Sequence, residues 1–566
     1  MSSEDKSDGA LIRKSEANRL ISEFNLLTDQ NKTAYIRLSV FPCDFDRDAF
    51  EAVCLAPYQR LQEWAQEESG LIELVASEKA GEIRYRLPAS VRTWTAEGLD
   101  SADETLENQV RFARYFACLL QKSKGTERNE AIDLYLELEN IITAANIFLT
   151  TKKRNFPEIW HVGLALTKIV SIKSDRCLLL AIECFESSLN AMKRSISPEN
   201  WGKTQNNIAY CCMNLQFGER DKNVREAISR YEEAANAYSE RGLPELWADS
   251  QHRIGLAYKV LPLGDFNTNL RNGIRSFLAA LKVRTLTEYP QEFAALQISL
   301  GCAYLALEGG EELNYRNAIL CFEAALKAYT KQNFPRNWAI SHHNLGVAYS
   351  RLQSVDSNEY FENALEHFRA ALEVRIKDRY PEDWAQTQFG LGNAYLSISK
   401  KRWGTHLQDA IKFYHDALSV FTEQDNPNNW GEVQNNLGVS LLELTAGNRT
   451  ANLEASIECF NAALRVAKKE GNQRDWAIRQ NNFGLALSAL GRKSKALEKF
   501  EEARAVYRQL NCEANVKIVD AHIKLAQGRD EGRLYPVRRS KSKLKNIVYT
   551  ALDYSISAAI AFFEYF

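Results

Sequence analysis

The sequence predicts an all-α protein, a tandem array of stacked helical hairpins, with a small α+β module near its N-terminal end. Three observations predict it. Trp201, Trp247, Trp338, Trp384, Trp430 and Trp476 share one context, Phe293 fills the gap between the second and third, and the steps are 46, 46, 45, 46, 46 and 46 residues. A small residue stands eight positions after each of these aromatics. A small–aromatic–small pattern at spacings of four and three recurs in the second half of each unit, which places all three on one helix face. With only 27 Gly and 12 Pro in 566 residues, a turn-rich β protein is disfavoured.

The elements follow in order. Residues 1–29 are an arm, flexible or helical. Its opening, MSSEDKSDGALIRKS, has no apolar run after its charges, so no signal peptide is expected. Residues 30–105 have another texture. AYIRLSVFPCDFDRDAFEAVC reads as helix, turn, helix, and the stretch down to Trp94 as helix, strand, charged turn, strand, helix. Leu71 and Leu74, then Ile83, Tyr85 and Leu87, alternate as half-buried strands do. Residues 106–195 are a helical linker and a degenerate first repeat, with Pro157 and Trp160 in the Pro-x-x-Trp slot and Ala181 and Phe185 in the second helix.

Residues 196–512 hold seven repeats. Pro198, Pro244, Pro290, Pro335, Pro381 and Pro427 stand three before the first six aromatics, and Gln473 takes that place in the seventh. The small residue of the first helix is Ala209, Gly255, Gly301, Gly346, Gly392, Gly438 or Gly484. A glycine inside a helix costs about 1 kcal/mol relative to Ala, so its recurrence at one register predicts close approach of a neighbouring helix. Phe322 between Ala318 and Ala325, and Phe368 between Ala364 and Ala371, exemplify the second helix. Residues 513–533 are expected to cap the array. Residues 534–566 are a basic, then apolar tail.

Leu345-Gly346, Tyr349, Ala364, Phe368 and Ala371 resemble, in order, the tetratricopeptide-repeat pattern. The resemblance covers roughly residues 196–512. It implies hairpins wound as a right-handed superhelix whose concave face, lined by first helices, binds a protein or peptide. The period of 45–46 exceeds the family's, about 34, so residues are inserted between the two helices and around each Pro-x-x-Trp. RLSVFP at 37–42, the Ala49–Cys54 helix and RYRLPASVRTW at 84–94 resemble the winged-helix module of STAND (NB-ARC-like) regulators, and residues 108–149 resemble their linker to repeats. Such regulators carry a P-loop ATPase before that module. No G-x-x-x-x-G-K-[ST] occurs here, so nucleotide-driven switching is not carried over.

Lys plus Arg number 71 and Asp plus Glu 73, a net charge of −2, which excludes a bulk polyanion binder. Eleven Cys without a CxxC, scattered among apolar positions, read as buried thiols in a reducing, cytoplasmic compartment. His342 and His343 are helix neighbours pointing about 100° apart, with no further ligand at metal spacing. No nucleophile–base signature and no phosphate loop appears. The chain is therefore expected to be no enzyme, with no cofactor, metal or small-molecule substrate. The expected recognition helix of the winged module sets Glu63, Glu67 and Glu68 against Arg60, which disfavours nucleic acid.

The resemblance places the partner groove at positions five and nine after the aromatic: Asn206, Tyr210, His252, Leu256, His343, Val347, Asn393, Asn435, Val439 and Asn481. No Lys stands among them, so the family's carboxylate clamp for chaperone C-termini is disfavoured. An amide edge beside an apolar stripe suits an extended or helical peptide; the same amides equally suit bridges between repeats. In the tail, Arg538, Arg539, Lys541, Lys543 and Lys545 precede an apolar run with Phe562 and Phe563. A capping helix, a peripheral membrane contact and a partner-binding helix are the alternatives there, and Asp553 argues against spanning. The expected function is a regulatory, non-catalytic interaction scaffold. The alternatives are a membrane-associated adaptor localised by the tail and, less favoured, a winged-helix DNA-binding regulator.

Overall fold

The computed structural model describes residues 37–41, 45, 47–54, 73–76, 83–86, 108–115, 138–150, 159–168 and 175–192. It also describes 197–528 except 217, 241, 262–263, 309–310, 353–356, 402–405, 468–472 and 511. The arm at 1–29, the expected recognition helix with Arg60, Glu63, Glu67 and Glu68, and the whole tail from Arg538 to Phe563 lie outside the described residues. The chain packs as two units, through Ala257 and from Tyr258.

In the first unit a 3₁₀ turn at Arg37–Val40 leads to α1 (Arg47–Cys54) and an antiparallel pair, β1 (Glu73–Ala76) and β2 (Ile83–Arg86), with Leu74 opposite Tyr85. Phe45 exchanges both backbone hydrogen bonds with Tyr85 at 2.9 Å, tying the helical part to the hairpin. Leu38, Phe41, Phe45, Phe50 and Phe112 are buried around it, and Phe41 meets Phe112 edge-on. This is the small α+β module. Among the described residues the helices α2 (Leu138–Thr150), α3 (Ile159–Lys168), α4 (Asp175–Ala191), α5 (Pro198–Asn214), α6 (Arg220–Glu240) and α7 (Pro244–Val260) then follow.

The second unit continues with α8 (Phe266–Ala280), α9 (Pro290–Ala306), α10 (Glu311–Leu326), α11 (Pro335–Arg351), α12 (Ser357–Leu372) and α13 (Pro381–Lys401). After these come α14 (Leu407–Leu418), α15 (Pro427–Glu443), α16 (Arg449–Val466), α17 (Gln473–Ala489), α18 (Lys493–Gln509) and α19 (Glu513–Ala526). Each repeating Pro is the first residue of its first helix, where a missing N–H costs nothing and a fixed φ helps. Asn448 caps α16 by accepting from the amides of Thr450 and Ala451. In the last hairpin Gly491, at φ +81°, ends α17 with Arg492 N bonded to Leu487 O, and α18 starts at once. That is why its inter-helix turn is short.

The recurrent glycine meets a ring. A Cβ on Gly301, Gly346, Gly392, Gly438 or Gly484 would lie 2.5–2.9 Å from the aromatic of the second helix in the same hairpin: Phe322, Phe368, Tyr414, Phe460 and Phe500 in turn. The neighbour expected from the sequence is thus the hairpin's own partner helix. Gly163 makes the same contact with Phe185 at 2.9 Å and stands 46 residues before Ala209. Gly163, not Trp160, is therefore the landmark of the degenerate repeat. Trp160 instead donates from Nε1 to Thr204 on α5 at 3.0 Å.

A second register joins each hairpin to its linker. Tyr238, Arg284, Tyr329, Arg375 and Phe421 recur at steps of 46, 45, 46 and 46, and all are buried. The Tyr238 ring lies against Gly202, one after Trp201, where a Cβ would come within 2.6 Å. At the next step the chain has Ala467. There Arg479 reaches in from α17, its Nη1 2.8 Å from where a Cβ of Gly431 would stand and 2.8 Å from Ala463 O.

Candidate functional site: the first-helix face

Each first helix has three neighbours, and hydrogen bonds show which register faces which. Position four faces the hairpin's own second helix: Gln205 donates to Glu233 at 2.7 Å, and His342 Nδ1 lies 3.0 Å from His367 Nδ1. Positions three and six face the preceding first helix, and positions five and nine the following one. Asn206 Nδ2 donates to Ser250 at 3.2 Å, and His343 Nδ1 lies 3.2 Å from Thr387 Oγ1. Asn393 Oδ1 accepts from Asn436 at 2.9 Å and from Tyr414 at 2.8 Å. Asn482 donates to Asn435 at 3.2 Å, and His522 Nδ1 donates to Asn481 at 2.9 Å.

Of the residues singled out from the sequence at positions five and nine, Asn206, His343, Asn393, Asn435 and Asn481 therefore stand in the seams between helices. Asn435 and Asn481 are each 1% exposed, and His343 and Val439 are also buried. Asn206, Tyr210, His252, Leu256, Val347 and Asn393 are half-buried. Two amides of adjoining helices satisfy each other because burial leaves an unpaired amide a penalty of about 1–3 kcal/mol. The sector left between the two neighbouring first helices is narrow and lies at positions two and thirteen, about 100° per residue around the helix. In α9, α11 and α13 it carries Ala295, Ile340 and Gln386, then Ala306, Arg351 and Ser397, all half-buried. The sequence holds this register too; its significance appears only once the neighbours are known.

The titratable groups near this face are set by burial. His342 is pushed down to about 4 by burial and by His367, and His343 well below the usual range by burial and Arg375. Both imidazoles are neutral at neutral pH. Burial lifts the thiols of Cys184 and Cys212, to about 12 and about 11, and Cys211 higher still, the reverse of what a reactive thiolate needs. Among the described residues no group of three or more metal-ligating side chains converges. No helix among them is long and apolar enough to cross a membrane.

No protein-family model matches the chain, and no curated protein matches it. Solved structures do. A STAND protein with a tetratricopeptide-repeat sensor from Pyrococcus horikoshii shares 17% identity at a TM-score of 0.40, covering 78% of this chain and 64% of its own. The chain thus spans under two thirds of that protein. Apo RapI shares 15% at 0.40, covering 69% and 98%, and yeast Tom70 shares 12% at 0.32, covering 74% and 96%. The repeats of this chain are tetratricopeptide-like. Its helical hairpins, glycine–ring contacts and first-helix row carry that likeness.

Proposed function

We propose that the protein is a regulatory, non-catalytic interaction scaffold that receives a protein or peptide partner on the inner sector of its first helices. The observation that supports this reading is the half-open row on α9, α11 and α13. There Ile340 offers half-buried apolar surface beside the side chain of Gln386. Apolar side chains flanked by amides suit a peptide whose backbone needs hydrogen bonds while its side chains are buried. Every buried ring and glycine described above has a packing role, so stacking absorbs the rest of the repeat.

The test is a paired capture. Wild type and the variant Ile340→Arg plus Val347→Arg, matched for helicity by circular dichroism, serve as baits in native lysate, read by mass spectrometry. A protein captured by the wild type and lost from the variant is the expected result. Capture indifferent to the substitutions would overturn this face as the binding surface.

A further inference from the structure

At position two the inner sector is half-open along α9 to α13 and closed at α15 and α17, while at position thirteen Glu443 and Ala489 are as half-buried as Ala306, Arg351 and Ser397. At position two, Ala295, Ile340 and Gln386 are half-buried, whereas Glu432 and Ile478 are buried. The change coincides with a contact that no repeat register predicts. Arg474, in the first turn of α17, donates from Nη1 to Glu308 Oε1 at 2.7 Å, across 166 residues of chain. Glu308 lies just beyond α9, and Asn267 Oδ1 accepts from its amide. Residues Ala477 to Ser488 of α17 are all buried, though they include Arg479, Gln480, Asn481, Asn482 and Ser488. Ile478, Phe483, Leu485 and Leu487 join the apolar core, and α16 and α18 pack against the helix. The chain just beyond α9 meets the start of α17 through this ion pair.

Behind the pair lies a second charge set. Arg479 donates to Asp475 at 3.2 Å, Glu432 adjoins both, and Glu432 Oε2 has no hydrogen-bond partner among the described residues. Keeping the Glu432 carboxyl and the Asp475 carboxylate out of water beside one guanidinium costs desolvation and opposes closure. An opened α15–α17 face would rehydrate them.

We propose that the Glu308–Arg474 ion pair is a latch that holds the inner face of α15 and α17 closed, and that opening it extends the partner surface. The proposal rests on the reading of the first-helix sector as the binding face. The two side chains are 29% and 27% exposed, so water and salt reach the pair. Opening is spread over the hairpins between α9 and α17, each turning a little, as shear motions of packed helices do.

Hydrogen exchange on the full chain tests the latch without any partner. In Glu308→Lys the amides of residues 473–489 should exchange about tenfold faster than in the wild type. Adding Arg474→Glu should return them towards the wild-type rate. Unchanged exchange in the single reversal, or equally fast exchange in the double, would overturn the latch. Should Glu308→Lys lose helicity as a whole, Glu308→Gln replaces it. Wild-type α17 should then exchange faster in high salt while the Gln variant shows no salt response, and a shared response would sink the proposal. The binding face fails separately, through the capture experiment with Ile340→Arg plus Val347→Arg.

Discussion

The hairpin α5–α6 and the hairpin α15–α16 have the same space to fill, beside the small residue one after the tryptophan. In the first, the Tyr238 ring fills it from the linker against Gly202. In the second, Val466 at the end of α16 comes nearest, its Cγ2 2.5 Å from where a Cβ of Gly431 would stand, and the Arg479 guanidinium joins it from the following helix at 2.8 Å. The volume is kept and its occupant is not. The exchange is uneven, because an aromatic ring brings no charge to balance, whereas Arg479 is buried with Asp475 and Glu432 around it.

The largest effect should come from the charge. Arg479→Met keeps most of the volume and strands the buried Asp475 carboxylate beside the neutral Glu432 carboxyl, so denaturant unfolding should show a loss of about 3–5 kcal/mol. Tyr238→Phe keeps the ring and gives up a 3.4 Å bond from Asn206, a loss of about 1 kcal/mol or less. Equal losses would dissolve the contrast.

A middle effect concerns pH. Burial first, then Asp475, raises the Glu432 carboxyl to about 8, with Arg479 pulling the other way. The unfolded chain ionises this group near the ordinary carboxylate value, while the fold keeps it protonated up to about 8. The native state therefore binds the extra proton across that window, and stability falls as pH rises through it, levelling off above. Glu432→Gln should flatten this decline in melting temperature across the alkaline half of the window. The hairpin α5–α6 has no such group at its filled space, so Lys203→Gln, at the matching position two of α5, should leave the slope as it was.

The smallest effect lies on the edge. Lys331 pairs with Glu373 at 2.5 Å, Lys377 with Ser419 at 2.8 Å and Arg465 with Glu423 at 2.8 Å, one step of the repeat apart. Each cation also lies over Trp338, Trp384 or Trp430. Lys331→Gln should change stability by about 0–1 kcal/mol, because both partners are largely exposed. A larger loss would promote this edge to a structural seam.

Much of the array was legible because it is local. The glycine and the ring that fills its place are about 22 residues apart in one hairpin, and both recur by type as well as by position. The Pro that opens each first helix was equally plain. Gly163 was missed because Trp160, five residues out of register, resembles the missing aromatic more than Asn155 does. Positions five and nine face the next first helix, as the bonds from Asn206 to Ser250 and from Asn436 to Asn393 show, and no residue type at those positions announces it. The pairing of Glu308 with Arg474 was beyond reach for the same reason, being a property of summed rotations.

That pairing also fixes a number. A glycine–ring contact closes inside its own hairpin, so a hairpin of 45 or 46 residues gained or lost elsewhere would leave every other such contact intact. Glu308 and Arg474 meet only when the intervening hairpins are neither more nor fewer than they are. One duplication between α10 and α16 would carry Arg474 a full step past its partner. The pair therefore acts as a ruler for the copy number of an otherwise extensible array.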